Sequence, residues 1–78
     1  MIRELDTVVL MHDIEEYCLM KGDIGTVVHC YGDGKAYEVE FVSADGRTIA
    51  VITLSHTDIR LMDSKEILHV RKISLQAA

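Results

Sequence analysis

Hydrophobic and polar residues alternate most regularly over residues 36–42, where aromatic or aliphatic side chains are separated by Glu38 and Glu40. An alternation with a period of two residues is typical of a β-strand with one buried face and one exposed face. The preceding run, residues 27–31, is also rich in β-branched and aromatic residues, and Gly32-Asp33-Gly34-Lys35 separates the two runs. Because glycine adopts positive φ angles without steric cost, this connection predicts a tight turn. The sequence therefore predicts a β-hairpin over residues 27–42.

Three further apolar runs predict three more strands. They are rich in aliphatic residues and cover residues 6–11, 48–54 and 59–62. Corners that contain Gly, Asp or Ser separate the runs, at residues 22–25, 43–47 and 55–58. We interpret Gly22 and Gly25 as residues that accept positive φ angles where the chain turns into the second strand. Short strands with polar turns at regular spacing predict an all-β fold, a small five-stranded barrel over residues 1–62.

The segment between the first two strands, residues 12–21, has no clear periodicity. It carries several good helix formers together with apolar side chains at Ile14, Tyr17, Leu19 and Met20. A helix shorter than about 12 residues is marginal unless it packs against other elements. We therefore expect an ordered loop here, with a short helix as the alternative.

The last part of the chain, residues 63–78, is a short C-terminal appendage whose secondary structure the sequence leaves open. Its β-branched residues favour an extra strand, whereas Ser64 is placed to cap a short helix. The strand is slightly preferred. In either case four apolar side chains need cover, from their own barrel or from a second chain: Leu68, Val70, Ile73 and Leu75. We therefore divide the chain into a barrel, residues 1–62, and a tail, residues 63–78, as a possible interaction element.

Length and composition restrict the class of protein. A domain of 78 residues buries only about 60% of its unfolded surface, so another chain would add useful stability. With 49% hydrophobic and 27% charged residues the chain is too apolar to be disordered. No apolar run approaches the roughly 20 residues that cross a bilayer, and the N-terminus is acidic where a signal peptide is apolar. We expect a soluble cytoplasmic protein without a membrane partner.

The cysteines and histidines do not form a recognisable metal site. Cys18 and Cys30 are separated by 11 residues, and the four histidines form no H-x-H or H-x-x-x-H pair. His29 and Cys30 are adjacent in a predicted strand, so their side chains point to opposite faces. Two cysteines are also fewer than a disulfide-stabilised domain of this size usually carries. We expect reduced thiols and no metal or other cofactor.

Three arrangements of residues in the sequence superficially resemble catalytic or phosphate-binding sites. Cys18 and His12 could form a nucleophile and base, but no glycine corner that could supply an oxyanion hole lies beside Cys18. Gly22-x-x-Gly25 lacks the third glycine, the Lys-Ser/Thr pair and the helix of a phosphate-binding loop. Glu38 and Glu40 share a strand face, which is compatible with a catalytic carboxylate pair. The same arrangement is also what an ordinary solvent-exposed strand face looks like. We therefore expect no enzymatic activity.

A resemblance to SH3-like barrels of the KOW type covers about residues 6–62. In those barrels a strand leads to a G-x-x-G corner, then to a Val-rich strand and a Y-x-V-x-F strand. The corresponding segments here are Val8-Val9-Leu10, the run from Lys21 to Val28, and Tyr37-Glu38-Val39-Glu40-Phe41. The resemblance implies the fold but indicates little about function, because such barrels occur in ribosomal and transcription factors, enzyme subunits and photosynthetic complexes.

A narrower resemblance covers most of the chain. The segments E-L-D-T-V-V-L, K-G-D-I-G-T-V-V-H, Y-G-D-G-x-A-Y-E-V-E-F-V and T-I-A-V-x-T-L begin at residues 4, 21, 31 and 48. They are similar to a small, uncharacterised bacterial family, largely cyanobacterial, that is defined only as a domain of unknown function. That resemblance implies a non-catalytic domain but no established activity.

The leading hypothesis is a non-catalytic interaction or accessory module that self-associates as a homo-oligomer or docks on a larger protein. The candidate partner-binding residues are Tyr17, Leu19, Met20, Tyr31, Leu68, Val70, Ile73 and Leu75. The alternative is a KOW-like module that binds nucleic acid through Arg47, Arg60, Arg71 and Lys72. Eight basic and 13 acidic side chains give a net charge of −5, which opposes binding to phosphates. A third hypothesis, an antitoxin or immunity-type blocker, rests on size and acidity.

Overall fold

A computed structural model of the chain describes residues 1–73 and contains a single five-stranded antiparallel sheet. The strands are β1 (Thr7–Leu10), β2 (Ile24–Tyr31), β3 (Ala36–Val42), β4 (Thr48–Leu54) and β5 (Ile59–Leu61). One turn of 3₁₀ helix, Glu15–Tyr17, lies between β1 and β2. The strand order is β4-β3-β2-β1-β5, so β5 returns across the fold to pair with β1. The predicted all-β, five-stranded, barrel-like fold is confirmed.

The alternation in β3 places its side chains as the sequence predicts. Tyr37, Val39 and Phe41 are buried, whereas Glu38 and Glu40 lie on the outer face. The buried residues pack with Val8, Leu10, Leu19, Val27, Ala50, Leu54 and Ile59 in one apolar cluster. Burying an aliphatic or aromatic side chain of this size contributes about 1.5–3 kcal/mol each. The hairpin β2–β3 therefore forms the centre of the core.

The corner before β2 differs from the prediction in one respect. Gly22 has a φ of 96°, as expected at a turn, but Gly25 lies inside β2, paired with Val8, and its φ is not positive. A Cβ atom at Gly25 would lie 2.6 Å from Cγ1 of Val39 and 2.9 Å from Cε1 of Phe41. The interpretation of Gly25 as a positive-φ residue is therefore wrong: glycine is required there because two side chains of β3 pack directly against its backbone.

Residues 11–23, which we call the corner loop, are ordered without a regular helix beyond the 3₁₀ turn. Ile14 and Leu19 exchange backbone hydrogen bonds of 2.9 and 3.1 Å across this turn. The backbone N–H of Gly22 donates to the carbonyl oxygen of Leu10, which continues the hydrogen bonding of β1 beyond the strand. The expected ordered loop is confirmed.

Residues 62–73, which we call the strap, form neither the extra strand nor the short helix. The carboxylate of Asp63 accepts the N–H of Lys65, and the carboxylate of Glu66 accepts the N–H of Asp63, at 2.9 and 2.7 Å. These bonds satisfy the backbone in a turn at residues 63–66. The following residues include β-branched Ile67 and Val70, which favour helix only weakly. Leu75, a predicted partner-binding residue, lies outside the described residues.

Candidate partner-binding surface

Polar side chains satisfy the backbone of the corner loop. The carboxylate of Asp13 accepts the N–H of Lys21, and that of Asp23 accepts the N–H of Met20, both at 2.8 Å. Leu19 is buried and anchors the loop to the core. Cys18 has a φ of 60°, a left-handed conformation that directs the chain from the 3₁₀ turn back toward Leu19. Tyr17 and Met20, which flank Cys18 and Leu19 in the sequence, are exposed.

Arg71 fastens the strap to this loop. Its Nε donates to Oδ1 of Asp23 at 2.8 Å, and its Nη2 donates to the carbonyl oxygen of Cys18 at 3.0 Å and to Oδ2 of Asp23. Desolvation raises the pKa of Asp23, but hydrogen bonds from Arg71 and from the N–H of Met20 outweigh it and keep this pKa below its usual value. The pair joins residues 48 positions apart.

A second ion pair holds the start of the strap. Nη1 and Nη2 of Arg60, on β5, donate to Oε1 and Oε2 of Glu66 at 2.8 and 2.7 Å. This two-pronged geometry is the strongest that a guanidinium and a carboxylate form. The hydrogen bonds from Arg60, followed by that from the N–H of Asp63, lower the pKa of Glu66 to about 2. The strap is therefore tied to the barrel on both sides of residues 67–70.

Between these two attachments the strap presents apolar side chains to solvent. Leu68 is 64% exposed and Val70 is 96% exposed. Ile67, which was not among the predicted partner-binding residues, is 87% exposed. Ile73, beyond Arg71, packs against the core instead. One feature of the sequence does indicate Ile67, namely its place at the start of the apolar run that follows the turn at residues 63–66.

An open groove of about 530 Å³ lies beneath the strap. Apolar side chains of the core and corner loop line it, among them Leu19, Phe41 and Ile49. Its other lining residues include Asp45 of the β3–β4 turn and His69 and Lys72 of the strap. The strap, the corner loop and the groove therefore share one end of the barrel.

Tyr31 lies away from this end. Met20 lies before the start of β2, and Tyr31 is the last residue of β2. The length of this strand, roughly 25 Å, therefore separates the two side chains. The Tyr31 ring stacks edge-on against His29, with ring centroids 4.6 Å apart, and remains partly exposed. The structure thus places Tyr17, Met20, Leu68 and Val70 on the surface, Leu19 in the core, Ile73 against the core and Tyr31 at the far end of β2.

The four candidate nucleic-acid contacts have mixed surroundings. Arg60 and Arg71 are held by Glu66 and Asp23. Arg47 lies 3.4 Å from a carboxylate oxygen of its neighbour Asp45, and both side chains are largely exposed. Lys72 is exposed. Three of the four cationic groups therefore face a carboxylate, which reduces the positive potential that they offer to a phosphate.

His12, the candidate base, is engaged in a structural bridge. Its Nε2 lies 2.7 Å from Oδ1 of Asp58, and its Nδ1 lies 3.0 Å from the carbonyl oxygen of Asp13. The hydrogen bond to Asp58, followed by that to Asp13, raises the pKa of His12. Ser55 Oγ donates to the other oxygen of Asp58 at 3.1 Å. The carboxylate thus stands between the serine and the histidine, an order that does not activate a serine nucleophile.

The described residues contain neither a cluster of metal-ligating side chains nor a helix that could cross a membrane. Over residues 1–73 no three His, Cys, Asp or Glu side chains are grouped so that they could hold a metal ion. The same residues include no helix with the length and apolar character needed to span a bilayer.

Comparison with known proteins identifies the family. The model of the family described as "Domain of unknown function (DUF4926)" matches residues 4–61. The chain belongs to this family. The match confirms the predicted resemblance to a domain of unknown function, and it ends at the last residue of β5, before the strap. No curated protein and no solved structure gave a significant match.

Proposed function

We propose that this DUF4926 domain is a non-catalytic interaction module of the cytoplasm, built on an SH3-like barrel of the KOW type. The strand order supports the barrel type, because β5 crosses back to β1 after a single polar turn that follows β4. In this proposal the domain either self-associates or docks on a larger protein. A fold of this kind carries many functions, so the argument for interaction rests on the strap.

The observation that carries the proposal is the exposure of Leu68 and Val70 between two ion pairs. Exposed apolar side chains that occur singly are normal, but here Ile67, Leu68 and Val70 are consecutive or nearly so. The pairs Arg60–Glu66 and Arg71–Asp23 hold the backbone on both sides of them. A partner that covers these side chains therefore gains apolar burial while little conformational entropy remains to be lost.

The neighbouring surface suits the same role. Met20 and Tyr17 of the corner loop expose apolar area near the point where Arg71 attaches the strap. Tyr and Met are enriched where proteins meet, because each combines a large contact area with adaptable packing. The groove beneath the strap adds a concave apolar surface at this end of the barrel.

The nucleic-acid alternative has no specific observation in its favour. Nonspecific binding to a phosphate backbone depends on free cationic groups, and three of the four candidates face carboxylates. The net charge of −5 would repel a nucleic acid at longer range. The blocker hypothesis likewise gains no support beyond size and acidity.

A site-specific photo-crosslinker tests the proposal. We would place p-benzoylphenylalanine at Val70 in the full chain, irradiate living cells of the native host and analyse the adducts by mass. We expect adducts of either two chains or one chain with another protein, and their loss when Leu68→Ser is added. The matched control is the same probe at Asp33, an exposed residue of the β2–β3 turn. Absence of adducts at position 70, or equal adducts at position 33, would contradict the proposal.

A further inference from the structure

The sheet has two edge strands, and one of them is well protected. β5 comprises only three residues, and its Arg60 side chain is tied to Glu66. The chain then turns at residues 63–66, directly after the strand. A short strand, a charged side chain and a covering turn are the devices by which natural sheets prevent pairing with other chains. The edge at β5 therefore offers little to a partner.

β4, at the other edge, has no charged side chain and, in the described part of the chain, no covering turn; its one protective feature there is a bulge against β3 at Ile49, near its start, and residues 50–54 pair regularly with β3. It spans seven residues, Thr-Ile-Ala-Val-Ile-Thr-Leu, without a charged residue or a proline. It pairs with β3 alone among the described strands, and over residues 1–73 no backbone hydrogen bond outside that ladder reaches it. Every second residue of an edge strand directs its N–H and C=O away from the sheet. Residues 50–54 of β4 therefore offer a regular row of unpaired donors and acceptors to a second strand.

The side chains of β4 leave this edge electrically neutral. Thr48 Oγ1 donates to the carboxylate of Glu40 at 2.7 Å, and Thr53 Oγ1 donates to that of Glu38. Both carboxylates are thus held over the β3–β4 pair. Val51 lies between the two threonines, opposite Glu40, and is 49% exposed. The outermost strand presents an apolar centre flanked by hydroxyl groups.

We propose that β4 pairs in antiparallel fashion with β4 of a second copy, around a two-fold axis near Val51, so that one sheet continues through both chains. A second copy fits because an antiparallel edge is complementary to itself, and a two-fold axis closes the assembly as a dimer. The proposal deepens the self-association branch of the proposed function. Ile49, at the start of β4, also lines the groove beneath the strap, but Val51 does not, so substitutions at Val51 and at Leu68 test the two surfaces separately.

The charge distribution permits this pairing. Each chain carries a net charge of −5, so the two copies repel at long range. The backbone of β3 would lie three strand spacings, about 14 Å, from that of β3 in the second copy, and the carboxylates of Glu38 and Glu40, which lean toward β4, would lie about 10 Å or more from their counterparts. That separation exceeds the screening length of about 8 Å at physiological ionic strength. We therefore expect the dimer to strengthen as salt is added, the reverse of an assembly held by ion pairs.

Light scattering coupled to size exclusion, over a range of concentrations, tests the edge in the full chain. We expect the wild type to dimerise, and Val51→Lys and Val51→Glu each to raise the dimer Kd at least about tenfold, because like charges then face each other across the axis. Mixing the two variants should restore a dimer. The matched control is Val42→Lys, which alters an equally exposed valine on β3, at 49%, away from the edge. Circular dichroism of each variant checks that the sheet is intact.

Each outcome decides the question. A wild type that is monomeric at all concentrations overturns the edge proposal, as does a dimer that Val51→Lys leaves intact. A dimer that Leu68→Ser and Val70→Ser disrupt, while Val51→Lys does not, assigns self-association to the strap and keeps only the proposed function. Conversely, a Val51-dependent dimer without crosslinks at position 70 supports the edge and removes the role of the strap.

Discussion

The β2–β3 hairpin and the strap belong to one short chain but are held in place by different forces. Val27 and Val39 face each other across the hairpin and are fully buried, in a core without buried polar side chains among the described residues. The strap is held by Arg60–Glu66 and Arg71–Asp23, with apolar side chains left in water between them. In this domain the hydrophobic effect stabilises the sheet, whereas ion pairs attach the strap, which we propose as the binding surface.

The difference has an energetic consequence. A buried aliphatic side chain contributes about 1.5–3 kcal/mol, while an ion pair near the surface contributes about 0–1 kcal/mol and is screened by salt. The hairpin should therefore unfold only with the whole domain, while the strap should detach in local openings that leave the sheet intact. A partner that covers the strap in its attached position should make these local openings rarer.

The largest expected effect comes from Gly25, where hairpin packing is closest. Gly25→Val should lower the free energy of unfolding by about 3 kcal/mol, because even a Cβ atom would lie 2.6 Å from Cγ1 of Val39. Urea denaturation followed by circular dichroism measures this change. At urea concentrations below the midpoint of unfolding, the strap of the Gly25→Val variant should stay attached to the barrel as it does in the wild type.

A double-mutant cycle separates crowding from backbone strain at this position. Val39→Ala removes the atom nearest to the new Cβ, so Gly25→Ala should cost less in that background than in the wild type. Gly46→Ala offers a contrast, because φ there is 84° and no atom lies within 4 Å of an added Cβ. It should cost about 1 kcal/mol through strain alone. Equal costs of Gly25→Ala in both backgrounds would show that crowding by Val39 is not the cause.

A smaller effect on stability is expected from a substitution at Arg71, which holds the strap. Arg71→Ala should lower the free energy of global unfolding by no more than about 1 kcal/mol. It should nevertheless accelerate chymotrypsin cleavage after Leu68 about fivefold or more, because the strap loses its bonds to Asp23 and Cys18. High salt should have the same effect on the wild type and little on the variant.

Arg47→Ala is the control for this experiment, because the Arg47–Asp45 pair is exposed and lies in the β3–β4 turn. It should leave the cleavage rate after Leu68 unchanged. If Arg71→Ala also left that rate unchanged, the ion pair would not be what attaches the strap. If it unfolded the domain, the strap would belong to the core and the contrast with the hairpin would fail.

The contrast between the hairpin, which local patterns specify, and the strap, which long-range ion pairs hold, explains how much of the structure can be predicted from the sequence. The predicted strands at residues 36–42 and 48–54 match β3 and β4 in full, because alternation and turn residues act locally. The predicted start of β2, residue 27, is three residues later than the observed start at Ile24, because Gly25 allows close packing against β3 and does not form a turn. The course of the strap could not be predicted, since Arg71 and Asp23 are 48 residues apart and no periodicity links them. Of the candidate surface, the exposed apolar run was foreseeable, but its attachments were not.

The smallest expected effect concerns His12, whose bridge to Asp58 joins the corner loop to the β4–β5 turn. The pKa of His12 is raised above 6.5, chiefly by the hydrogen bond to Asp58, so the folded state binds the proton more tightly than the unfolded chain. Its contribution to stability is therefore fully present below pH 6.5 and is lost as the pH rises through the pKa of the folded state. The melting temperature of the wild type should fall over that range relative to His12→Gln.

Two measurements make this last prediction specific. The pKa of His12 from an NMR titration should lie above 6.5, and Asp58→Asn should bring it back toward that value. An equal slope in the wild type and in His12→Gln would show that the bridge adds no stability. The position of the corner loop would then depend on its backbone hydrogen bonds and on burial of Leu19, as the hairpin depends on its core.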